Sequence, residues 1–445
     1  MDCCRASTVE PHEPRGRRNA RGRRGRSAAP WRSLLTVACL GLLPALSCAA
    51  APAPGAPAAQ LLRAQLAQGL TRGLPGISVA LATRQGVIWS EAIGYADLSS
   101  ASRAHPGYLY GIGSITKVFI ACVVQQLVDE GRLRLTATGG ELLPPGTVAG
   151  IANADRASVR ELLDHTSGVP SWEFDPVWIR KGRGDQMDID HVWGKAETLE
   201  YLRRGHEPAT HAAGAGYGYS NSNYTLLGLI IERVTGQEAV EEVHRRILAP
   251  LGLTDIHFEG FEQVDSRRLP ARYQFGTGAF VRDAGMHRSF RRVGALLDVS
   301  RSNLSVEWAA GAIVATAHDL ALFMRALRDG QVVSRAALER MEDFHPTDDR
   351  DEDMGQGLAR DRYGHEQLIG YTGNVLGFGA VAGWVPDQDL VIALLTNVGA
   401  MHAGESAYTP EKLLKQTRVI AAARSLAREL APRLAPASGA SLTQH

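Results

Sequence analysis

Apolar and polar positions change period several times along the chain, and those changes place the elements. Leu61, Leu62 and Leu66 recur at helical spacing, which predicts a helix over residues 60–72. Two β-rich runs follow, Gly76 to Ala82 and Val87 to Tyr95, separated by Arg84-Gln85-Gly86, the signature of a hairpin. Near the other end, Gly377 to Trp384 and Leu390 to Val398 bracket Pro386-Asp387 in the same way, and Pro410 to Leu434 reads as an amphipathic helix. Between these ends the pattern is mainly helical. Ser114 to Glu130 is closed by Gly131, Asn223 to Thr235 by Gly236, and Glu238 to Leu248 and Thr316 to Leu327 follow, the last opened by a capping-box pair, Thr316 and Asp319. The expectation is an α/β (α+β) fold in one unit, residues 60–434. An antiparallel sheet flanked by helices is built from both chain ends (60–112 and 330–434), with an inserted all-helical region, 113–329.

Composition narrows the class. The chain has 445 residues, 44% of them apolar and 21% charged, the balance of a globular protein. Lys and Arg total 48 against 47 Asp and Glu, yet residues 1–32 hold nine Arg and three acids, so the remainder carries 39 against 44. A mildly acidic body lacks the clustered cations that nucleic-acid binding needs, so no nucleic-acid partner is expected. The Arg-rich start runs into apolar residues from Leu34 to Leu43 and then into Ser47-Cys48-Ala49. Basic, apolar and small-residue parts in that order predict a signal peptide with an Arg-rich extension over residues 1–50, and hence an exported protein, periplasmic or secreted. An over-extended start would read the same way in its Arg-rich part. Residues 51–59 read as an Ala/Pro linker and 435–445 as a disordered tail. Cys48, with a small residue before it and that linker after it, is a candidate for lipidation and so for a membrane tether. With Cys3, Cys4 and Cys39 in the signal, no disulfide framework is available.

Several kinds of site are excluded by spacing. No G-x-S-x-G occurs, Gly111 to Lys117 lacks the glycine that a phosphate loop places before its lysine, and His206 to His211 is one residue too long for a zinc helix and contains Pro208. Neither a metal nor a cofactor is expected. Ser114-Ile115-Thr116-Lys117 is the one place where a serine lies three residues before a lysine. That spacing puts both on one face at a helix N-terminus, followed by an all-apolar stretch, Val118 to Val124. A lysine buried there loses its proton readily and can take the serine's, making a nucleophile and its base within one turn. The motif alone equally fits a serine that caps the helix beside a lysine reaching solvent. Tyr219-Ser220-Asn221 precedes the next apolar helix: Tyr219 can relay a proton and Asn221 can hold a substrate carbonyl, or the two are a loop aromatic and a helix cap. Tyr371-Thr372-Gly373-Asn374 lies on the strand leading to Gly377. As an edge it would let a substrate backbone pair, with the Asn374 N–H opposing that of Ser114 as an oxyanion hole; a plain edge strand is the alternative.

In this order, S-x-x-K, Y-x-N about a hundred residues on, and an aromatic-Thr-Gly strand near the C-terminus, the chain resembles the serine β-lactamase and penicillin-binding protein superfamily. It looks most like the branch with class C β-lactamases, D-alanyl-D-alanine carboxypeptidases and related esterases and D-aminopeptidases. Leu162 to Pro170, Tyr224, Leu227-Gly228 and Gly311 to Leu320 support the resemblance, which runs from about residue 60 to 400. It implies that Ser114 is acylated, that Lys117 is its base or base partner, that Tyr219 relays the proton and that Asn221 binds the substrate amide. It also implies an oxyanion hole made by the N–H groups of Ser114 and Asn374. Tyr219 argues against class A, where a serine stands, and His165 falls in a stretch the resemblance marks as structural.

One departure matters. Relatives commonly carry Lys or His where Tyr371 stands, as a cation for the substrate carboxylate, and a phenol supplies a hydrogen bond without the charge. The resemblance therefore implies a serine hydrolase that cleaves an amide or ester, on a small molecule, D-amino-acid peptide or cell-wall peptide. A class C-like β-lactamase and a non-catalytic penicillin- or peptide-binding protein are the alternatives. Trp172, Phe174, Trp178 and Trp193 in the segment 172–211 either line a pocket over the site or pack an inserted loop.

Overall fold

Strand Gly76–Thr83 (β1) is apolar at nearly every position because both of its faces are covered. Ile77, Val79 and Leu81 point into one core with Leu62 and Leu66 of helix Ala56–Thr71 (α1) and Ala423 and Leu426 of the C-terminal helix Val419–Leu434. Ala80 and Ala82 point into the other core, with Leu320, Phe323 and Met324 of helix Ala317–Arg328. This period-two division is what a strand imposes on its side chains. The computed structural model describes residues 56–434. The expected signal segment, Cys48, residues 51–55 of the expected linker and the 435–445 tail lie outside the described residues.

The main sheet has nine strands, paired antiparallel throughout. Third from one edge, β1 lies between Gly86–Asp97 and Val391–Thr396, with Ile77 opposite Thr396. The two chain ends therefore meet in one sheet. Beyond Val391–Thr396 come Phe378–Trp384, Glu366–Val375 and Ala359–Tyr363 in turn.

Three details differ from the sequence reading. Helix α1 begins at Ala56 and buries Ala58 and Ala59, so residues 56–59 of the expected linker are helical. The expected helix Pro410 to Leu434 is two helices, Pro410–Gln416 and Val419–Leu434. They part where the Thr417 hydroxyl caps the Leu413 carbonyl at 2.7 Å and Thr417 takes an extended backbone. The inserted region is not all-helical. Ile256–Phe258 and Tyr110–Gly111 flank Ile313–Ala315 in one small sheet, and Tyr273–Phe275, Leu296–Asp298, Arg291–Val293 and Val398–Gly399 form another. Strands of two or three residues are too short to show a period, so the sequence pattern passes over them.

Candidate active site

Three separate elements meet at one cavity. The first is the start of helix Thr116–Asp129 (α2) with the single 3-10 turn Gly113–Ile115 before it. From Val118 to Val124 every residue of α2 is buried, so Lys117, one turn in, has no route to solvent. The second is the start of helix Asn221–Thr235 (α3), which is stitched to the 165–172 stretch by polar groups. Ser222 Oγ donates to the Pro170 carbonyl at 2.7 Å and accepts from Trp172 N–H at 3.1 Å, Asn221 N–H donates to Ser171 Oγ at 3.0 Å, and Ser167 Oγ donates to Asn223 Oδ1 at 2.7 Å. A fully bonded buried network of this kind fixes where Tyr219 and Asn221 point.

The third element is strand Glu366–Val375. It pairs with Phe378–Trp384 from Ile369 to Val375, but with Ala359–Tyr363 only from Glu366 to Gly370. It is thus an interior strand whose second half, Tyr371 to Asn374, is uncovered on one side, rather than a free edge. That side faces the 3-10 turn. A Cβ on Gly373 would run into the Ile112 carbonyl oxygen, and one on Gly113, whose φ is +53°, would come within 2.7 Å of Asn374 N. Two glycines let the backbones of Ser114 and Asn374 approach, as an oxyanion hole requires.

Ser114, Lys117, Tyr219 and Asn221 converge. Ser114 Oγ lies 2.7 Å from Tyr219 Oη and 2.9 Å from Lys117 Nζ. Lys117 Nζ also reaches Asn221 Oδ1 and the Ala310 carbonyl, each at 2.7 Å. Burial lowers the Lys117 pKa from its ordinary value to about 7, against the pull of Glu173 and Glu307. A neutral amine has two protons and one lone pair. The two carbonyl oxygens can only accept, so both protons go to them and the lone pair is left facing Ser114 Oγ. Tyr219 is pushed the opposite way, well above its ordinary pKa, by burial and by the negative charge of Glu173, so it remains a phenol that can donate to Ser114 Oγ. Asn221 has its carbonyl turned to Lys117, which leaves its NH2 end for an incoming acceptor.

The remaining candidates are placed differently from one another. Thr372 lines the cavity and is half-buried. Asn374 turns its side chain away, accepting from Ala400 N–H at 2.8 Å, so its backbone is what it offers the site. Tyr371 is buried with its hydroxyl 3.3 Å from His165 Nε2. Trp172 and Trp178 pack on each other in the core, 4.6 Å between ring centroids, Trp193 is buried, and Phe174 is 66% exposed. None of these four aromatics lines the cavity.

Glu173, between two of those aromatics, does line it, and sequence reasoning passed over it. Its one signal was its place between two aromatics, Trp172 and Phe174. The Ala310 carbonyl was also missed, since a backbone acceptor leaves no trace in the residue type. It sits two residues after Trp308, whose φ of +37° is a strained value for a bulky side chain. The cavity measures about 400 Å³.

Residues 58–414 match the family model described as Beta-lactamase. Among curated proteins, Protein flp of Staphylococcus aureus (strain COL) is 30% identical over 188 residues, 42% of this chain and 35% of the relative. Esterase EstB of Burkholderia gladioli is 31% identical over 213 residues, 46% of this chain and 52% of the relative. The match thus spans about a third to a half of the length of these curated relatives. Among solved structures, a D-amino acid amidase from Ochrobactrum anthropi SV3, complexed with L-phenylalanine amide, aligns with a TM-score of 0.68 at 25% identity, over 84% of this chain and 99% of that one. A D-stereospecific amidohydrolase from Streptomyces sp. aligns with a TM-score of 0.66 at 26% identity, over 78% and 96%.

Proposed function

The chain belongs to the beta-lactamase family, and from that premise we propose that it is a serine hydrolase cleaving an amide or ester bond through an acyl-enzyme on Ser114. One observation carries the reading: Ser114 Oγ is held between a lysine whose free lone pair faces it and a phenol that can donate to it.

Lys117 Nζ takes the proton of Ser114 as Oγ bonds to the substrate carbonyl carbon. Negative charge moves to the carbonyl oxygen, where the N–H groups of Ser114 and Asn374 receive it. As the intermediate collapses, the carbon–nitrogen or carbon–oxygen bond breaks. Tyr219 gives its proton to the leaving group and is reprotonated with the proton that Lys117 took, both groups lying within hydrogen-bond distance of Ser114 Oγ. Water then repeats the sequence on the ester and frees Ser114. The Asn221 NH2 group holds the carbonyl next to the scissile one.

The substrate class we assign is an amide, ester or short peptide of an amino acid, the D-series first, rather than a β-lactam. Two things support this: Tyr371 supplies no cation for a carboxylate, and the structural neighbours include enzymes described as D-amino acid amidase and D-stereospecific amidohydrolase. We further propose export, with or without a lipid on Cys48, on the strength of the N-terminal pattern; N-terminal sequencing of the protein from the cell envelope tests it.

Intact-mass spectrometry after exposure to a fluorophosphonate tests the acyl-enzyme reading. A single adduct on the wild type, absent in Ser114→Ala, is expected. An unmodified wild type, or an adduct that persists in Ser114→Ala, overturns it.

A further inference from the structure

Residues 303–310 bring the Ala310 carbonyl to Lys117 Nζ, and the segment 172–211 grips them at several points along their length. Asn303 Nδ2 donates to the His191 carbonyl at 3.1 Å, and Trp193 N–H donates to Ser305 Oγ at 2.9 Å. Arg183, the last residue of helix Pro176–Arg183, forms an ion pair with Glu307, and Lys195 Nζ lies 5.8 Å from the centre of the Trp308 ring. From the other side the Trp308 ring is seated on α3, where a Cβ at Gly228 would come within 2.7 Å of it.

The Arg183–Glu307 pair is the buried one among these contacts, its side chains 1% and 3% exposed, with the guanidinium carbon 5.1 Å from the centre of the Trp178 ring. Desolvation offsets most of what a buried ion pair gains, so stability alone does not account for one here. Its position does. Glu307 adjoins Trp308, whose φ of +37° and ψ of −121° are held by a bulky residue only where its surroundings impose them. Two residues on, the Ala310 carbonyl accepts from Lys117 Nζ at 2.7 Å. If the turn relaxed, that carbonyl would leave Nζ, and an N–H of the free amine could face Ser114 Oγ in place of the lone pair.

We propose that Arg183 is a positioning residue for the reaction: by holding Glu307 it keeps the 305–310 turn in its strained form, so that the Ala310 carbonyl stays on Lys117 and the amine lone pair stays on Ser114 Oγ. Arg183 does not line the cavity, so it acts through the turn and meets no substrate. Trp178 and Trp193 serve the same grip, one as the ring beside the guanidinium and one through its backbone N–H. This rests on Ser114 as nucleophile and Lys117 as base, and goes beyond that reading by giving the segment 172–211 a part in orienting the base.

The test reads the first-order rate of fluorophosphonate labelling of Ser114 in the folded fraction of each purified variant, well above the Lys117 pKa of about 7, where the amine is free. Arg183→Met should label about 10- to 100-fold more slowly than wild type, the scale of a misplaced reacting group. Arg183→Lys, which keeps the charge and a donor, should be at least about 5-fold faster than Arg183→Met. The double variant Arg183→Met/Glu307→Met should be within about 3-fold of Arg183→Met, because the two residues act as one unit. Asn303→Ala loosens the other end of the turn without stranding a buried charge, and should slow labelling by about 3- to 10-fold even if Arg183→Met does not fold. The charges that favour the ammonium form of Lys117 are those of Glu173 and Glu307, so in the double variant the rise of the rate with pH should begin at a lower pH than in wild type. A wild-type labelling rate in Arg183→Met or Asn303→Ala, no recovery in Arg183→Lys, a double variant slower than Arg183→Met by a further factor of about 10, or an unmoved pH midpoint in the double variant would each overturn the proposal. Failure of the reagent to label Ser114 in the wild type would instead overturn the nucleophile assignment.

Discussion

Tyr371 and His165 share a hydrogen bond in which the imidazole is the donor. Ser220 N–H donates to His165 Nδ1 at 3.1 Å, so Nδ1 carries a lone pair. Burial, helped by the charge of Lys117, pushes the His165 pKa well below its ordinary value, so the ring is neutral and its one proton is on Nε2. Nε2 therefore gives that proton to Tyr371 Oη, 3.3 Å away, and the Tyr371 O–H is left to donate elsewhere. Tyr371 lines the cavity, so its proton is available to a substrate. A histidine in a structural stretch thus sets the polarity of a residue in the site.

Nitrogen chemical shifts of the His165 ring should accordingly report a neutral Nε2–H tautomer across neutral pH; a proton on Nδ1 would contradict the arrangement. Tyr371→Phe leaves Nε2–H buried without an acceptor. A loss of about 1–3 kcal/mol in urea unfolding is expected, with a drop of about 3- to 10-fold in kcat/KM from the lost donor.

The base can be identified by pH. Lys117 is active as the free amine, and burial brings its pKa down to about 7. Below that pH the amine is protonated and the labelling rate of Ser114 is low; it rises as pH passes through about 7 and then levels. A tyrosinate at Tyr219 would move the rise far higher, because that phenol is held well above its ordinary pKa. A rate that climbs steadily beyond pH 10, or one that falls as pH rises through 7, would exclude Lys117 as the base. Lys117→Arg, which keeps its charge at every accessible pH, should be inactive throughout.

Tyr219→Phe removes the proton path to the leaving group while keeping the ring that packs 4.5 Å from His165. Turnover should fall by about two to four orders of magnitude, with little change in the unfolding midpoint. Turnover within a factor of three of wild type would leave Tyr219 without a role in the chemistry.

Gly113 is where the helix start and the strand nearly touch. Gly113→Ala places a methyl group 2.7 Å from Asn374 N on a backbone with φ of +53°. The strand must move away, and the acylation rate should drop by about 100-fold, the scale set by losing one oxyanion donor. Unchanged acylation with a lowered melting temperature would show that the approach serves only packing.

Much of the site is legible in the chain because its chemistry is local. Ser114 and Lys117 are one turn apart, and burial of α2 follows from seven consecutive apolar residues, Val118 to Val124. The double layer on β1 follows likewise from a run that is apolar at nearly every position, interrupted by Ser78. The division of the nine-stranded sheet between the two chain ends follows from where the β-rich runs fall. What sequence could not carry is whatever depends on partners far along the chain or on the backbone itself. The Ala310 carbonyl acts on Lys117 from 193 residues away. The short strands of the inserted region exist only because their neighbours hold them, for they are too brief to have a period of their own. Glu173 reads as one more surface acid until the fold encloses it. Residue order alone specified which groups could react. Tertiary structure decided how much water reaches them, and with it which nitrogen holds a proton, because desolvation depends on every chain segment that packs around a group.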